Sequence, residues 1–342
     1  MSSVHTGTLL LCDADVRALL TPQDAYAAVR QSFLDHAAKV IHSPARVSAP
    51  LGRQQAVLLA MPASRDDPPG IGVKLVTVFP MNQAADGPRV RALYVLFDPD
   101  NGAPIAAMDA EFLTQIRTAS ASAVATVELF PGSRTTVALF GTGAQALGHA
   151  WVFASVLGSK TFLVVGRTPE RGRAFVERLR TLGIGGEAVD AREALDRARV
   201  VVTATTSRVP VLDDDDVLAG THINAIGTFQ PDAAELPEGL VVRSRVVVDT
   251  LDAIRTSGDL AKPLSHGTVT EERLSTELSD VMIGIRHGRS HKSDITIYKS
   301  VGTSFLDIAV AQIAFAHALE RGIGRRFDFG AVEGAFAAAR AR

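Results

Sequence analysis

Lys74 stands in Ile71-Gly-Val-Lys74-Leu-Val-Thr-Val-Phe79, a run that is apolar on both alternating faces. A strand of that pattern is expected to be covered on both sides. An ammonium placed there must be paired or put to use, because an unpaired buried charge is costly. The other reading is a lysine snorkelling to solvent from a sheet edge. Arg117 lies in Leu113-Thr-Gln-Ile-Arg117-Thr118-Ala119-Ser-Ala-Ser-Ala, whose small residues permit close approach of a backbone or a cofactor. Its planar fork suits a carboxylate or a phosphate; an exposed helix arginine is the alternative. Arg46, in His42-Ser-Pro-Ala-Arg46-Val-Ser, reads on its own as a surface loop residue. The chemistry open to such cations is capture of a small anion.

A second cluster binds a larger anion. Val137-Ala-Leu-Phe-Gly141-Thr142-Gly143-Ala144-Gln145-Ala146 reads as a buried strand, a glycine turn and the start of a helix. Gly141 permits the turn, Gly143 lets the backbone approach a pyrophosphate, and Ala146 is small enough for the helix to pack on a sheet. The helix amides then face the phosphates. Phe162-Leu-Val-Val-Gly166-Arg167-Thr168 supplies the next strand. An NAD site usually carries an Asp or Glu at its end for the ribose hydroxyls. Here Arg167 stands beside that position, which suits a 2′-phosphate. The reading is a nicotinamide site for NADPH, with NADH as the other option. Thr203-Ala204-Thr205-Thr206 ends the strand Val200-Val-Val at the carboxyl edge of the sheet, where ligands of doubly wound folds bind.

Elements must be arranged to bring these groups together. Thr21-Pro22-Gln-Asp24 opens a helix with a hydroxyl cap, and Ala25, Val29, Phe33 and Ala37 follow at helical spacing. Strands are expected near 54–62, 71–80, 90–98 and 103–107, separated by turns at 64–70 and 82–88, and a long Ala/Ser-rich helix near 111–129. From 135 to 300 strands and helices alternate, with strands near 135–140, 161–165, 199–204, 221–226 and 245–249. That pattern predicts an α/β fold with a Rossmann-type, doubly wound parallel sheet. A further helix follows Gly302. Residues 1–130 and 305–342 are therefore expected to form a discontinuous α+β substrate and dimerisation domain around a dinucleotide domain at 131–304.

The 342 residues carry a formal net charge of −2, which gives no electrostatic footprint for nucleic acid. The one cysteine, Cys12, excludes an internal disulfide and fits a reducing compartment. No basic leader segment and no apolar run of membrane length is visible, so the expected location is the cytoplasm, with no membrane partner. The acidic run Asp213-Asp-Asp-Asp216 looks like a cap before a helix at Val217. His287 and His291 have metal-like spacing in a glycine-containing loop, and no metal site is expected. No Gly-x-Ser-x-Gly elbow is present.

Arg46, Met61-Pro62, Gly72-Val-Lys74-Leu-Val-Thr-Val-Phe-Pro80, Arg117-Thr118-Ala119, Gly141-Thr-Gly143-Ala144-Gln145, His222-Ile-Asn224-Ala-Ile-Gly227 and Lys299-Ser-Val-Gly302 together resemble the ornithine cyclodeaminase/μ-crystallin family over nearly the whole chain. The resemblance implies a homodimer built through the N-terminal domain, with the active site between that domain and a Rossmann domain. It implies that Arg46, Lys74 and Arg117 hold a substrate carboxylate beside the nicotinamide, with Lys74 as the catalytic candidate. Thr118, Val301 and Gly302 join the cofactor residues. The family's cyclodeaminases and alanine dehydrogenases carry an Asp two residues after the glycine matching Gly227, followed by a Lys. This chain has Phe229 and Ala233 there, and its Pro231-Asp232-Ala-Ala-Glu235-Leu236 is like the μ-crystallin and ketimine-reductase branch. The implied reaction is reduction of a small cyclic imino acid, Δ1-pyrroline-2-carboxylate or Δ1-piperideine-2-carboxylate, to L-proline or L-pipecolate. An ornithine cyclodeaminase or amino-acid dehydrogenase, and a non-enzymatic NADPH-dependent binding protein, are the alternatives.

Overall fold

Fifteen strands sort into two sheets in the computed structural model, which describes residues 7–52, 56–82, 88 and 90–329. Residues 1–6, the start of the expected strand at 54–55, the centre of the turn at 83–87 and the segment 330–342 lie outside the described residues. The first sheet contains β1 (Thr8–Leu11), β2 (Ile41–His42), β3 (Val47–Leu51), β4 (Ala56–Asp66), β5 (Pro69–Val78), β6 (Val90–Phe97) and β7 (Pro104–Asp109). The second contains β8 (Thr136–Phe140), β9 (Thr161–Val165), β10 (Gly185–Ala188), β11 (Val200–Thr203), β12 (His222–Ala225), β13 (Arg245–Val248) and β14 (Thr296–Lys299). Past the helix Ser304–Arg321 the chain returns to the first sheet as β15 (Arg325–Phe327), antiparallel to β1.

The first sheet runs β15-β1-β7-β6-β5-β4-β2, with β3 also on β4. Every pairing in it is antiparallel except β1 with β7. Tight turns join β4 to β5 and β6 to β7 in that meander. The second sheet, β10-β9-β8-β11-β12-β14-β13, is parallel throughout. Its strand residues 137–140, 162–164, 200–203 and 296–299 are buried, as expected of strands with helices on both faces. Order reverses at β8, which lies between β9 and β11, so a crevice opens at the carboxyl ends of β8 and β11.

The helix Glu111–Leu129 joins the two halves. It packs on the helices Pro22–Ala37 and Ser304–Arg321 and also on the helix Ala144–Val152, β12 and β14. Its run 118–126 is buried throughout, which only small and short polar side chains allow at such close contact. Ser122, Thr126, His149 and Asn224 pair there: Ser122 Oγ lies 2.8 Å from His149 Nε2, and Asn224 Nδ2 donates to Thr126 Oγ1 at 3.0 Å. Burial pulls the His149 pKa down to about 4, so this imidazole is neutral and structural.

Several expectations need correction. β5 is covered on one face only: Gly70, Gly72, Lys74 and Val78 are buried, whereas Ile71 is 44% exposed and Val73, Leu75 and Thr77 are partly so. Lys74 is 1% exposed, which removes the snorkelling reading. Residues 214–216 form a turn with no helix at Val217, because Asp214 accepts from Arg243 Nε at 2.6 Å instead of capping. β1, β2, β3, β10, β14 and β15 escape the sequence pattern. Among the described residues no helix is long and apolar enough to cross a membrane, and no group of His, Cys, Asp and Glu could hold a metal ion.

Candidate active site

The turn after β8 is shaped for a phosphate chain. Gly141 adopts φ +120°, and a Cβ there would lie 2.4 Å from the Ala204 carbonyl oxygen, so only glycine fits between the ends of β8 and β11. A Cβ on Gly143 would meet nothing within 4 Å and would instead project into the cleft. Gly143 caps the helix Ala144–Val152, whose first amides open onto the same space. A cavity of about 650 Å³ is lined by Gly141, Thr142, Gly143, Gly166, Arg167, Arg171, Ala204 and Thr205. A nicotinamide dinucleotide fits this cradle: open backbone at Gly143, unused amides, and arginines at the far end.

Arg171 was not anticipated. Thr168 Oγ1 accepts from the Arg171 amide at 3.4 Å and starts the helix Pro169–Thr181, which sets Arg171 one turn beyond Arg167. Thr168 itself is thus a capping residue. The readable signal was the spacing of the two arginines at the start of a Thr-Pro-capped helix.

A second cavity of about 400 Å³ shares Gly143, Ala204 and Thr205 with the first, so the two form one cleft. It gathers Arg46, Lys74, Arg117, Thr118, Ala144, Gln145, Val301 and Gly302 in one place, walled by Met61, Val76, Ile226 and Phe229. Lys74 arrives on β5, Arg117 on the helix Glu111–Leu129, and Arg46 from the segment between β2 and β3. Arg46 donates through one terminal nitrogen to the carbonyls of Val301 (3.2 Å) and Gly302 (2.9 Å). Gly302, at φ +79°, would place a Cβ 2.9 Å from both terminal nitrogens of Arg117. Glycine here lets the guanidinium lie against the turn. Asp249 builds that turn: Oδ2 accepts from Ser300 Oγ at 2.7 Å and from the amides of Val301 and Gly302 at 2.9 and 2.8 Å.

Two of the cations converge on one acid that the pattern did not reveal. Asp307, fully buried on the helix Ser304–Arg321, accepts at Oδ1 from Lys74 Nζ (2.9 Å) and from Arg117 Nε (2.8 Å), and Lys74 Nζ lies 2.8 Å from Oδ2. Arg117 Nη1 is buried with no hydrogen-bond partner. A buried guanidinium nitrogen without a partner, on a side chain that lines the cavity, is a place for an anionic oxygen. Burial, and next the charge of Arg117, lower the Lys74 pKa to about 7, against the opposing pull of Asp307. The signal for Asp307 was a lone carboxylate inside the apolar run Phe305-Leu-Asp307-Ile-Ala-Val.

Thr203 departs from its expected role. Its side chain is buried, and its hydroxyl donates to Glu235 Oε2 at 2.9 Å, away from the cleft. Glu235 also accepts from the amides of Thr205 and Gly227, each at 2.7 Å, so it ties together the two loops that form the cleft floor. Thr118 lines the cavity, though its hydroxyl donates to the Thr114 carbonyl at 2.7 Å. Ala233 is buried and is not among the lining residues, whereas Phe229 is.

A family model described as the ornithine cyclodeaminase/mu-crystallin family matches residues 7–322. A Delta(1)-pyrroline-2-carboxylate reductase of Bacillus cereus is 31% identical over 326 residues, covering 94% of this chain and 100% of the relative. The structure of Thermococcus litoralis Delta(1)-pyrroline-2-carboxylate reductase in complex with NADH and L-proline matches with a TM-score of 0.89 and 32% identity, covering 94% of this chain and 100% of that one. An archaeal alanine dehydrogenase dimer with bound NAD matches with a TM-score of 0.87 and 30% identity, over 94% and 99% of the two chains.

Proposed function

The chain belongs to the ornithine cyclodeaminase/mu-crystallin family, and on that footing we propose that it reduces Δ1-pyrroline-2-carboxylate and Δ1-piperideine-2-carboxylate to L-proline and L-pipecolate with NADPH. It is an oxidoreductase of CH–NH and C=N bonds that uses a nicotinamide dinucleotide. The observation that carries the substrate reading is the cavity that Arg46, Lys74 and Arg117 line together with apolar walls that include Phe229, one Arg117 nitrogen having no protein partner. Arg46, Lys74 and Arg117 fix the carboxylate and thereby the adjacent imine carbon. Met61, Val76, Ile226 and Phe229 exclude water and suit a flat ring. The turn 141–145, Ala204 and Thr205 would hold the dinucleotide, with Arg167 and Arg171 on its 2′-phosphate. When bound, the nicotinamide supplies hydride. The ring nitrogen arrives as an iminium, so the chain's contribution is positioning and the field around that charge. The solved neighbours hold NADH and NAD, so the choice of NADPH rests on the two arginines.

NADPH oxidation with five- and six-membered cyclic imines, run beside ammonia release from ornithine, tests this reading. Imine-dependent oxidation without ammonia is expected. Robust ammonia release with no imine reduction would place the chain among the cyclodeaminases. Phe229 sharpens the test, since a phenyl ring neither accepts nor donates a proton. Phe229→Asp replaces an apolar wall with a carboxylate and is expected to lower kcat/KM for the imine by about 10- to 150-fold, from the roughly 1.5–3 kcal/mol that burying such a side chain contributes. It should add only traces of ammonia, because Ala233 supplies no lysine.

We further assign residues 1–130 and 305–342 to a substrate and dimerisation unit and 131–304 to a dinucleotide unit. Support comes from the sheets, since β1–β7 and β15 share one and β8–β14 the other. The uncovered face of the first sheet carries Leu58, Ile71 and Leu93 at 41%, 44% and 43% exposure, flanked by Val73, Leu75 and Val95. An apolar face of that kind is the natural seat of a homodimer. Leu93→Asp is expected to yield monomers in sedimentation velocity where the parent protein sediments as a dimer; a monomeric parent would remove the assignment.

A further inference from the structure

We propose that Asp307 is the positioning residue of the reduction: its carboxylate clamps Lys74 and Arg117 to each other and sets both to meet the substrate carboxylate. The proposal rests on the ketimine-reductase reading for the nature of the substrate. Its own ground is geometric. One buried acid meets two cations from different elements, through Lys74 Nζ at 2.8 and 2.9 Å and Arg117 Nε at 2.8 Å. The bond to Nε fixes the plane of the Arg117 fork. It uses the side of the guanidinium away from Nη1 and leaves that nitrogen without a protein partner.

The charges around Lys74 make the acid necessary. Arg117 faces Lys74 from the helix Glu111–Leu129, Arg46 from the segment after β2, and Asp307 from the helix Ser304–Arg321, while the neutral Tyr94 phenol sits opposite on β6. Burial and both arginines disfavour the ammonium, and Asp307 favours it. Lys74 is charged below its pKa and neutral above it. Binding that needs the ammonium therefore falls as pH rises through about 7, and it must fall at lower pH when the Asp307 charge is removed.

The pH profile of kcat/KM with a cyclic ketimine and NADPH tests this. Titration of the imine is common to all variants and cancels in the comparison. Asp307→Asn keeps the shape of the side chain and is expected to move the alkaline limb down by about one pH unit or more. NADPH affinity, read by cofactor fluorescence, should be retained. Asp307→Glu keeps the charge and is expected to leave the limb in place even if kcat falls, so the test survives failure of Asp307→Asn to fold. In a Lys74→Met background, Asp307→Asn should move nothing further. The proposal is overturned if Asp307→Asn lowers activity equally at every pH, or if Asp307→Glu moves the limb as far as Asp307→Asn does. Binding of pyrrole-2-carboxylate to the NADPH-loaded protein, followed over the same pH range, reads the same limb without turnover. A protein that reduces no ketimine yet shows the limb in binding would refute the substrate reading and leave the role of Asp307 standing.

Discussion

Lys74→Met and Arg117→Met should each lower kcat/KM for a cyclic ketimine by about 30- to 5,000-fold, the consequence of truncating one partner of a buried, hydrogen-bonded charge pair at about 2–5 kcal/mol. Dinucleotide affinity should stay within about twofold, because the phosphate cradle at 141–145 shares no hydrogen bond with either cation. Methionine preserves length and apolar stem and removes only the charge and its donors. The two variants should nonetheless differ. Loss of Lys74 leaves Asp307 bonded to Arg117, whereas loss of Arg117 removes both the unpartnered Nη1 and the anchor of Asp307 on that helix. Arg117→Met is therefore expected to raise KM more steeply and to lower Tm as well. Circular dichroism on each variant separates the two effects. A folded protein with unchanged kcat/KM would reduce the pair to a structural pin, and so would a protein that fails to fold at every pH. Arg46→Met should follow in the same direction with a smaller effect, since Arg46 is held by two carbonyls and not by a buried acid.

The parts of this site that were legible in the sequence are those whose chemistry is local. Gly141 and Gly143 declare themselves because a tight turn between strand and helix has few sequence solutions, and the structure places them at the switch point beside β11. Lys74 draws notice because a charge inside an apolar strand must be paired or snorkel to solvent, and its burial removes the second choice. Arg46 does not, since nothing in His42-Ser-Pro-Ala-Arg46 distinguishes a surface loop from one folded over a cavity; only the family resemblance pointed to it. Asp307 and Glu235 were missed for a related reason. Each acts on partners far along the chain, Asp307 on Lys74 and Arg117, Glu235 on Thr203, Thr205 and Gly227. Their importance is a property of the packing. The helix expected after Gly302 carries Asp307 inside an apolar run, where helical periodicity gives it no weight. The strands that escaped notice, such as β10 and β15, are similarly fixed by a neighbour and not by their own pattern.

Cofactor choice should turn on Arg167 and Arg171. The Arg167→Ala variant is expected to weaken NADPH, and 2′,5′-ADP as a fragment of it, by about 10- to 150-fold, the range for a charge-assisted hydrogen bond of roughly 1.5–3 kcal/mol. NADH affinity should remain within about twofold. Both side chains are exposed at the mouth of the cavity, so the upper end of that range applies at low ionic strength and the lower end near physiological salt. Arg171 stands one helical turn on, and Arg171→Ala should cost less than Arg167→Ala because Arg167 leads directly from the end of β9. The double variant is the decisive protein. If both guanidiniums meet one phosphate, its preference for NADPH should vanish and its NADPH affinity should lose most of its salt dependence, converging on that of NADH. Titration calorimetry with the four ligands NADPH, NADH, 2′,5′-ADP and 5′-AMP reads this without turnover. Equal losses for the phosphorylated and unphosphorylated members of each pair would mean that the arginines hold the pyrophosphate or merely solvate the helix start. The missing acid after β9 would then leave the ribose hydroxyls to backbone groups, and the enzyme would use either dinucleotide.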